Sequence, residues 1–153
     1  MNHITDRDGA QCVCCGTPLA GQRYSVHHRI YGNRGDNRPS NLVTLLGTGT
    51  TLHHMQAHRR KSTWAIPNGY AVSRHAAREA TLVVPVWYYQ PALGRVGWFL
   101  LDDDGGLTAY QGPELAPAPR PFALEATAWT STRPGAAPAP RAGRGLPRTR
   151  GAR

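Results

Sequence analysis

Five of the seven histidines lie in two short stretches: His27 and His28 in YSVHHRIYGN, and His53, His54 and His58 in TLHHMQAH. Imidazole titrates near pH 6.5, so at neutral pH it can take a proton or offer a lone pair to a metal ion. If TLHHMQAH is helical, His54 and His58 share a face and can converge on one ion. A histidine pair on a helix is also common surface decoration. If YSVHHRI is a strand, His27 and His28 point to opposite faces and do different jobs unless the strand is distorted. A third group, Cys12, Cys14 and Cys15 in CVCCG, is odd in number and local. That pattern suits a metal or reduced thiols better than a disulfide framework.

The intervening sequence has to position these groups. Arg23 to Ile30 alternates as a strand, YGNRGDNRPS is a polar loop, and LVTLL (Leu42 to Leu46) is a short buried strand. After GTGT, the run TLHHMQAHRRKSTWA predicts a helix opened by Thr50 or Thr51 and stopped before PNG. On it, Leu52 and Met55 fall on a packing face, and His53, Gln56 and Arg60 on a more polar one. GYAVS predicts a strand and RHAAREA a helical turn. TLVVPVWYYQ and RVGWFLLDD predict strands joined across PALG, with DDGG turning into LTAY. Trp87, Tyr88, Tyr89, Trp98 and Phe99 read as strand core in preference to base stacking.

The chain has 153 residues, which is room for one ordinary domain and a tail. The opening MNHITDRDG has no apolar core of a signal peptide, and no apolar run approaches a membrane span. A soluble protein of the cytoplasm, with no membrane partner, is expected. The net charge of +9 points to a polyanion such as nucleic acid. The strong preference for Arg over Lys is what a GC-rich genome would also give. From Gly112 onward, seven Arg face Glu114 and Glu125, and eight of the 13 prolines fall there. That composition predicts disorder over 112–153. The tail could hold DNA loosely or be a solvated appendage.

Set in series, a strand ending in His27-His28, Asn41 opening the next strand, and His54 and His58 on a helix resemble the HNH endonucleases, the ββα-metal nucleases. The likeness is nearest to the small HNH proteins of actinobacteria and their phages. It rests on CVCCGTPL, YSVHHRI, NLVTLLGTGTTLHH and GWFLLDDDGG, and it covers Cys12 to about Gly106.

The resemblance implies an α+β fold: a ββα-metal core behind a Cys turn, then a β-hairpin and a basic tail. The expected divisions are a mobile lead at 1–9, the nuclease core at 10–66, a β-rich extension at 67–111 and the tail at 112–153. It further implies a hydrolase that nicks or cuts double-stranded DNA with one divalent ion, Mg, Mn, Ni or Zn. His28 corresponds to the general base, and His27 and His54 to metal ligands. His58 corresponds to a position that is sometimes a further ligand. Asn41 corresponds to the residue that braces the loop and orients the base, although it also suits a simple loop end.

Relatives carry a structural zinc on two Cys pairs. Here Cys12 and Cys15 supply the first pair, while the second falls on Leu46 and His53. Cys12, Cys15 and His53, with Cys14 or another group, could form a zinc site, or the thiols could simply pack against the helix. LHHMQAH also leaves His53 or His54 as the motif's last His, and helix geometry favours His54. Arg29, Arg59, Arg60 and Lys61 are candidate DNA contacts, although the last three also complement a helix C-terminus. The rival readings are a zinc-stabilised DNA-binding module without activity, and a phage DNA-packaging accessory working with terminase subunits.

Overall fold

The computed structural model describes residues 3–30, 36–59 and 63–116, all within one unit of the chain. The chain starts with helix α1 (His3–Arg7). Strand β1 (Tyr24–His28) follows and pairs antiparallel with β2 (Leu42–Leu46), His27 opposite Val43 and His28 opposite Leu42. A 3-10 turn at Pro39–Asn41 leads into β2, its proline fixing φ at the first position. Helix α2 (Leu52–His58) comes next, then the short helix α3 (Ala80–Val83). Strands β3 (Val86–Gln90), β4 (Arg95–Leu101) and β5 (Leu107–Ala109) form a second antiparallel sheet in that order. The described residues thus make a small α+β fold with two small antiparallel sheets, few helices and a Cys cluster ahead of the sheets.

LVTLL has no charged residue and is buried along its whole length, because both of its faces are covered. The Val13 amide donates to the Thr44 carbonyl at 3.1 Å, and the Tyr89 amide donates to the Val13 carbonyl at 2.7 Å. The Cys turn therefore bridges the two sheets. One apolar core runs through Cys12, Val13, Leu45, Ala57, Tyr70, Val86, Tyr88 and Leu101. The segments expected as nuclease core and as β-rich extension share it.

Several expectations need correction. The lead at 1–9 is packed over its described residues, with Ile4, Thr5 and Asp8 buried. Asp8 accepts from the Thr44 amide and the Tyr88 hydroxyl, both at 2.8 Å, which ties β2 to β3. Arg7 reaches the carbonyls of Pro39 and Leu42. The predicted helix from Thr50 or Thr51 through the Trp64 region ends at His58, and residues 63–69 are turns. GYAVS makes a single bridge, Ile30 with Val72, and is not a full strand. The TLV of TLVVPVWYYQ is helical, and Pro85 precedes the strand proper.

Arg29 was expected at the DNA surface, yet it is fully buried. Its guanidinium donates to the carbonyls of Gly69, Ser40 and Thr81 at 2.8 Å and of Val84 at 2.5 Å. Burial pushes its pKa down to about 9, so the group stays charged at neutral pH and clamps three separate segments. Gly69 has φ +73°, and a Cβ there would overlap the Pro85 carbonyl, so only glycine lets this strap pass.

Candidate metal centres and active site

Helix α2 presents two histidine faces to two different neighbours. His53 and Ala57 form its buried face, which is the reverse of the polar role expected for His53. His54 and His58 lie on the next face, partly buried. The turn before the helix is tied by the Thr48 amide to Thr51 Oγ1 at 2.9 Å. Leu52 takes φ +53°, a left-handed conformation that leucine rarely adopts. Consecutive residues on a helix stand about 100° apart, so the two adjacent imidazoles face separate centres.

At the first centre, Cys12, Cys14, Cys15 and His53 lie close enough to hold a metal ion, their donor atoms all within 4.8 Å of one another. Cys12 Sγ is 3.4 Å from Cys14 Sγ and 3.5 Å from His53 Nδ1. Sulfurs about 2.3 Å from a tetrahedral zinc stand about 3.8 Å apart, so Cys12 and Cys14 would separate by only a few tenths of an ångström to hold one. The Leu46 amide donates to Cys12 Sγ at 3.3 Å. Leu46 carries no ligating side chain and contributes to this centre through its backbone amide. Burial pushes the Cys12 thiol up to about 12 and raises Cys14 well above the usual range. Hydrogen bonds from Cys12 and Cys14 hold Cys15 well below it. Of the three sulfurs, Cys15 is the one that favours the thiolate, and a cation among the donors would favour ionisation of the other two. Cys14 is the donor that C-x-x-C spacing does not predict.

At the second centre, His27 leaves β1 to meet His54 and His58, with donor atoms again within 4.8 Å. Ring centroids are 5.2 Å apart for His27 and His54, 4.9 Å for His27 and His58, and 4.5 Å for His54 and His58. His27 Nε2 donates to the Tyr70 carbonyl at 3.0 Å, leaving Nδ1 buried without a hydrogen-bond partner among the described residues. A ring fixed this way through its other nitrogen is the usual support of a metal-ligating His. The Nε2 atoms of His54 and His58 are 2.8 Å apart. Two nitrogens about 2.1 Å from one ion at right angles would stand about 3 Å apart. Burial pushes His27 down to about 3 and His54 to about 4, and lowers His58 as well. All three are neutral at pH 7, the form that binds metal.

His28 is only partly buried and interacts electrostatically with His27, His54 and His58. It therefore stands beside the second centre with its ring reachable from solvent. Asn41, expected to orient it, does not touch it. The buried Asn41 amide accepts from the Ile30 amide at 2.8 Å and donates to the Asp36 carbonyl at 3.0 Å, clasping the two ends of the loop. The contact to His28 comes from Asn37, whose Oδ1 is 2.9 Å from Nε2. Nothing in the polar loop sequence singled out Asn37.

Arg59 is exposed at the end of α2, whereas Arg60 and Lys61 lie outside the described residues. Beside His58 is a cleft of about 410 Å³ bordered by Ala57, Arg59, Ile66, Val72 and Arg74. Among the described residues, no helix is long and apolar enough to cross a membrane. Comparison with family models, with curated proteins and with solved structures gave no match to this chain.

Proposed function

We propose that this chain is a metal-dependent HNH endonuclease that hydrolyses phosphodiester bonds of double-stranded DNA on a ββα-metal core built from β1, β2 and α2. One observation carries the reading: neutral imidazoles of His27, His54 and His58 gather at one point, with the accessible ring of His28 beside them. Surface decoration does not bury a ring nitrogen without a partner, as His27 Nδ1 is buried here.

In this reading His28 takes a proton from water, and the resulting hydroxide oxygen bonds to phosphorus. The bond from phosphorus to the bridging 3′ oxygen then breaks, leaving a 5′-phosphate, and the released oxygen takes up a proton from solvent. A divalent ion held by His27, His54 and His58 would supply Lewis-acid stabilisation of the phosphoryl charge. Imidazole donors suit Zn, Ni or Mn, and a phosphate oxygen makes Mg workable. His28 stays uncommitted to the ion, because base and ligand roles require the same lone pair. At the first centre the donor set of three Cys and one His suits a structural zinc.

A plasmid-nicking assay over a panel of divalent ions, with and without EDTA, tests the reading. Metal-dependent nicking that His28→Ala abolishes is expected. A metal-loaded, folded protein that binds DNA and never nicks it would favour the zinc-stabilised binding module. Feeble nicking restored by terminase subunits would favour the packaging accessory.

A further inference from the structure

We propose that Asn37 is a positioning residue that holds the His28 ring in one orientation and in the tautomer with its hydrogen on Nε2, so that Nδ1 is the nitrogen left with a lone pair. The catalytic consequence rests on the nuclease reading above; the tautomer itself does not. An amide oxygen can only accept, so the 2.9 Å contact from His28 Nε2 to Asn37 Oδ1 requires the hydrogen on Nε2. A neutral imidazole carries one N–H, and Nδ1 is left as the lone pair.

The surrounding backbone is anchored on both sides of this contact. Asp36, next to Asn37, is bound through its carbonyl by Asn41 and through its carboxylate by Arg38 at 2.9 Å and Arg78 at 3.0 Å. Arg38, on the other side, also meets Asp103 at 3.2 Å and donates to the Arg78 carbonyl at 2.6 Å. On the strand side, the Arg29 amide donates to the Asn41 carbonyl at 2.8 Å, and the Ile30 amide donates to the Asn41 side chain. Asn41 therefore sets the spacing between the His28 end of β1 and the Asn37 segment. It acts on the base through Asn37, which gives physical content to the orienting role that the resemblance assigns to Asn41.

The test is nitrogen-15 NMR of the histidine side chains of the full chain at about pH 8.5, above the ordinary imidazole range, with and without Mg²⁺. For His28, a protonated-type Nε2 signal and an unprotonated-type Nδ1 signal are expected. Asn37→Ala should mix the two tautomers, and Asn37→Asp, which keeps the acceptor oxygen, should restore the single form. Circular dichroism reports whether each variant folds. In the nicking assay, Asn37→Ala should lower kcat by roughly 10–100-fold with KM for plasmid little changed, as losses of orienting partners do. Asn37→Asp should recover most of that activity.

A His28 proton on Nδ1 in the unmodified chain would overturn the proposal. So would an Asn37→Ala protein that keeps both the tautomer and full nicking. A chain that shows the expected tautomer shifts but never nicks DNA would support the positioning role and sink the nuclease reading.

Discussion

His53 and His54 are neighbours in sequence and about 100° apart on α2, and this separation assigns them to different centres. Their substitutions should be separable. In the nuclease reading, His54→Ala is expected to cut metal-dependent nicking by at least about 100-fold, the scale on which catalytic metal ligands act, with little loss of thermal stability. His53→Ala should instead lower the midpoint of thermal unfolding and the bound zinc, with a smaller effect on turnover of the remaining folded protein. Metal analysis and a melting curve for each variant decide between them, and the reverse pattern would exchange the two assignments. Arg29 allows a second test at this scale. Arg29→Met would leave four carbonyls without their donor inside the fold. A loss of at least about 3 kcal/mol in chemical denaturation is expected. A loss under about 1 kcal/mol would restore the surface DNA role first expected of this residue.

At the level of elements, short pieces are held by polar clamps more than by their own length. β1 and β2 have five residues each and α2 seven, too short to persist alone. The loop that carries Asn37 depends on Asp36. The Arg38 guanidinium, joined by Arg78, holds the Asp36 carboxyl well below the usual carboxylate range, against the effect of burial. A carboxyl whose pKa is lower folded than unfolded stabilises the fold above the unfolded value of about 3.9. That contribution is lost as pH falls toward the folded value. Asp36→Asn should therefore be less stable than the parent at pH 7, and the gap should close progressively below about pH 4. Denaturation at several pH values would show it, and a gap independent of pH would dismiss the ion pairs. The strap at Gly69 makes a parallel case. Gly69→Ala should be far more damaging than Gly21→Ala, since both have positive φ but only Gly69 faces backbone. Gly21→Ala should cost about 1–2 kcal/mol for the left-handed conformation alone.

For the molecule as a whole, charge and metal content are the accessible measures. Seven of the 17 Arg lie beyond residue 116, with Glu125 as the sole carboxylate side chain there. In the nuclease reading these charges neutralise phosphates without reading sequence. Removing residues 117–153 should weaken DNA binding and flatten its dependence on salt, by about 0.9 in log–log slope for each phosphate no longer neutralised. Cleavage at saturating DNA should change little. An unchanged salt slope would make the segment a solvated appendage. The Cys and His53 centre, where a structural zinc is proposed, includes the Cys turn that bridges the two sheets. Chelation is therefore expected to lower the melting temperature of the whole unit in one transition, which calorimetry can follow.

Local chemistry was legible in the sequence: a Cys cluster, a His pair on a strand, an i, i+4 His pair on a helix, and the strand LVTLL between polar turns. Each of these depends on residue type and a short period, which neighbouring residues impose by themselves. The partners were not legible, because they come from segments far apart in the chain. His27 is held by a carbonyl 43 residues away, Arg29 is consumed by four carbonyls up to 55 residues away, and Asp8 is joined to Tyr88 across 80 residues. Side-chain type made Arg29 look like a surface cation and Asp8 part of a loose lead, whereas long-range packing buried both. The sequence determined which donors exist and which faces they share. Only the tertiary structure decided that His53 joins the sulfurs, that His54 joins His27, and that Asn37 meets His28, because convergence of distant backbone is a property of the packed core.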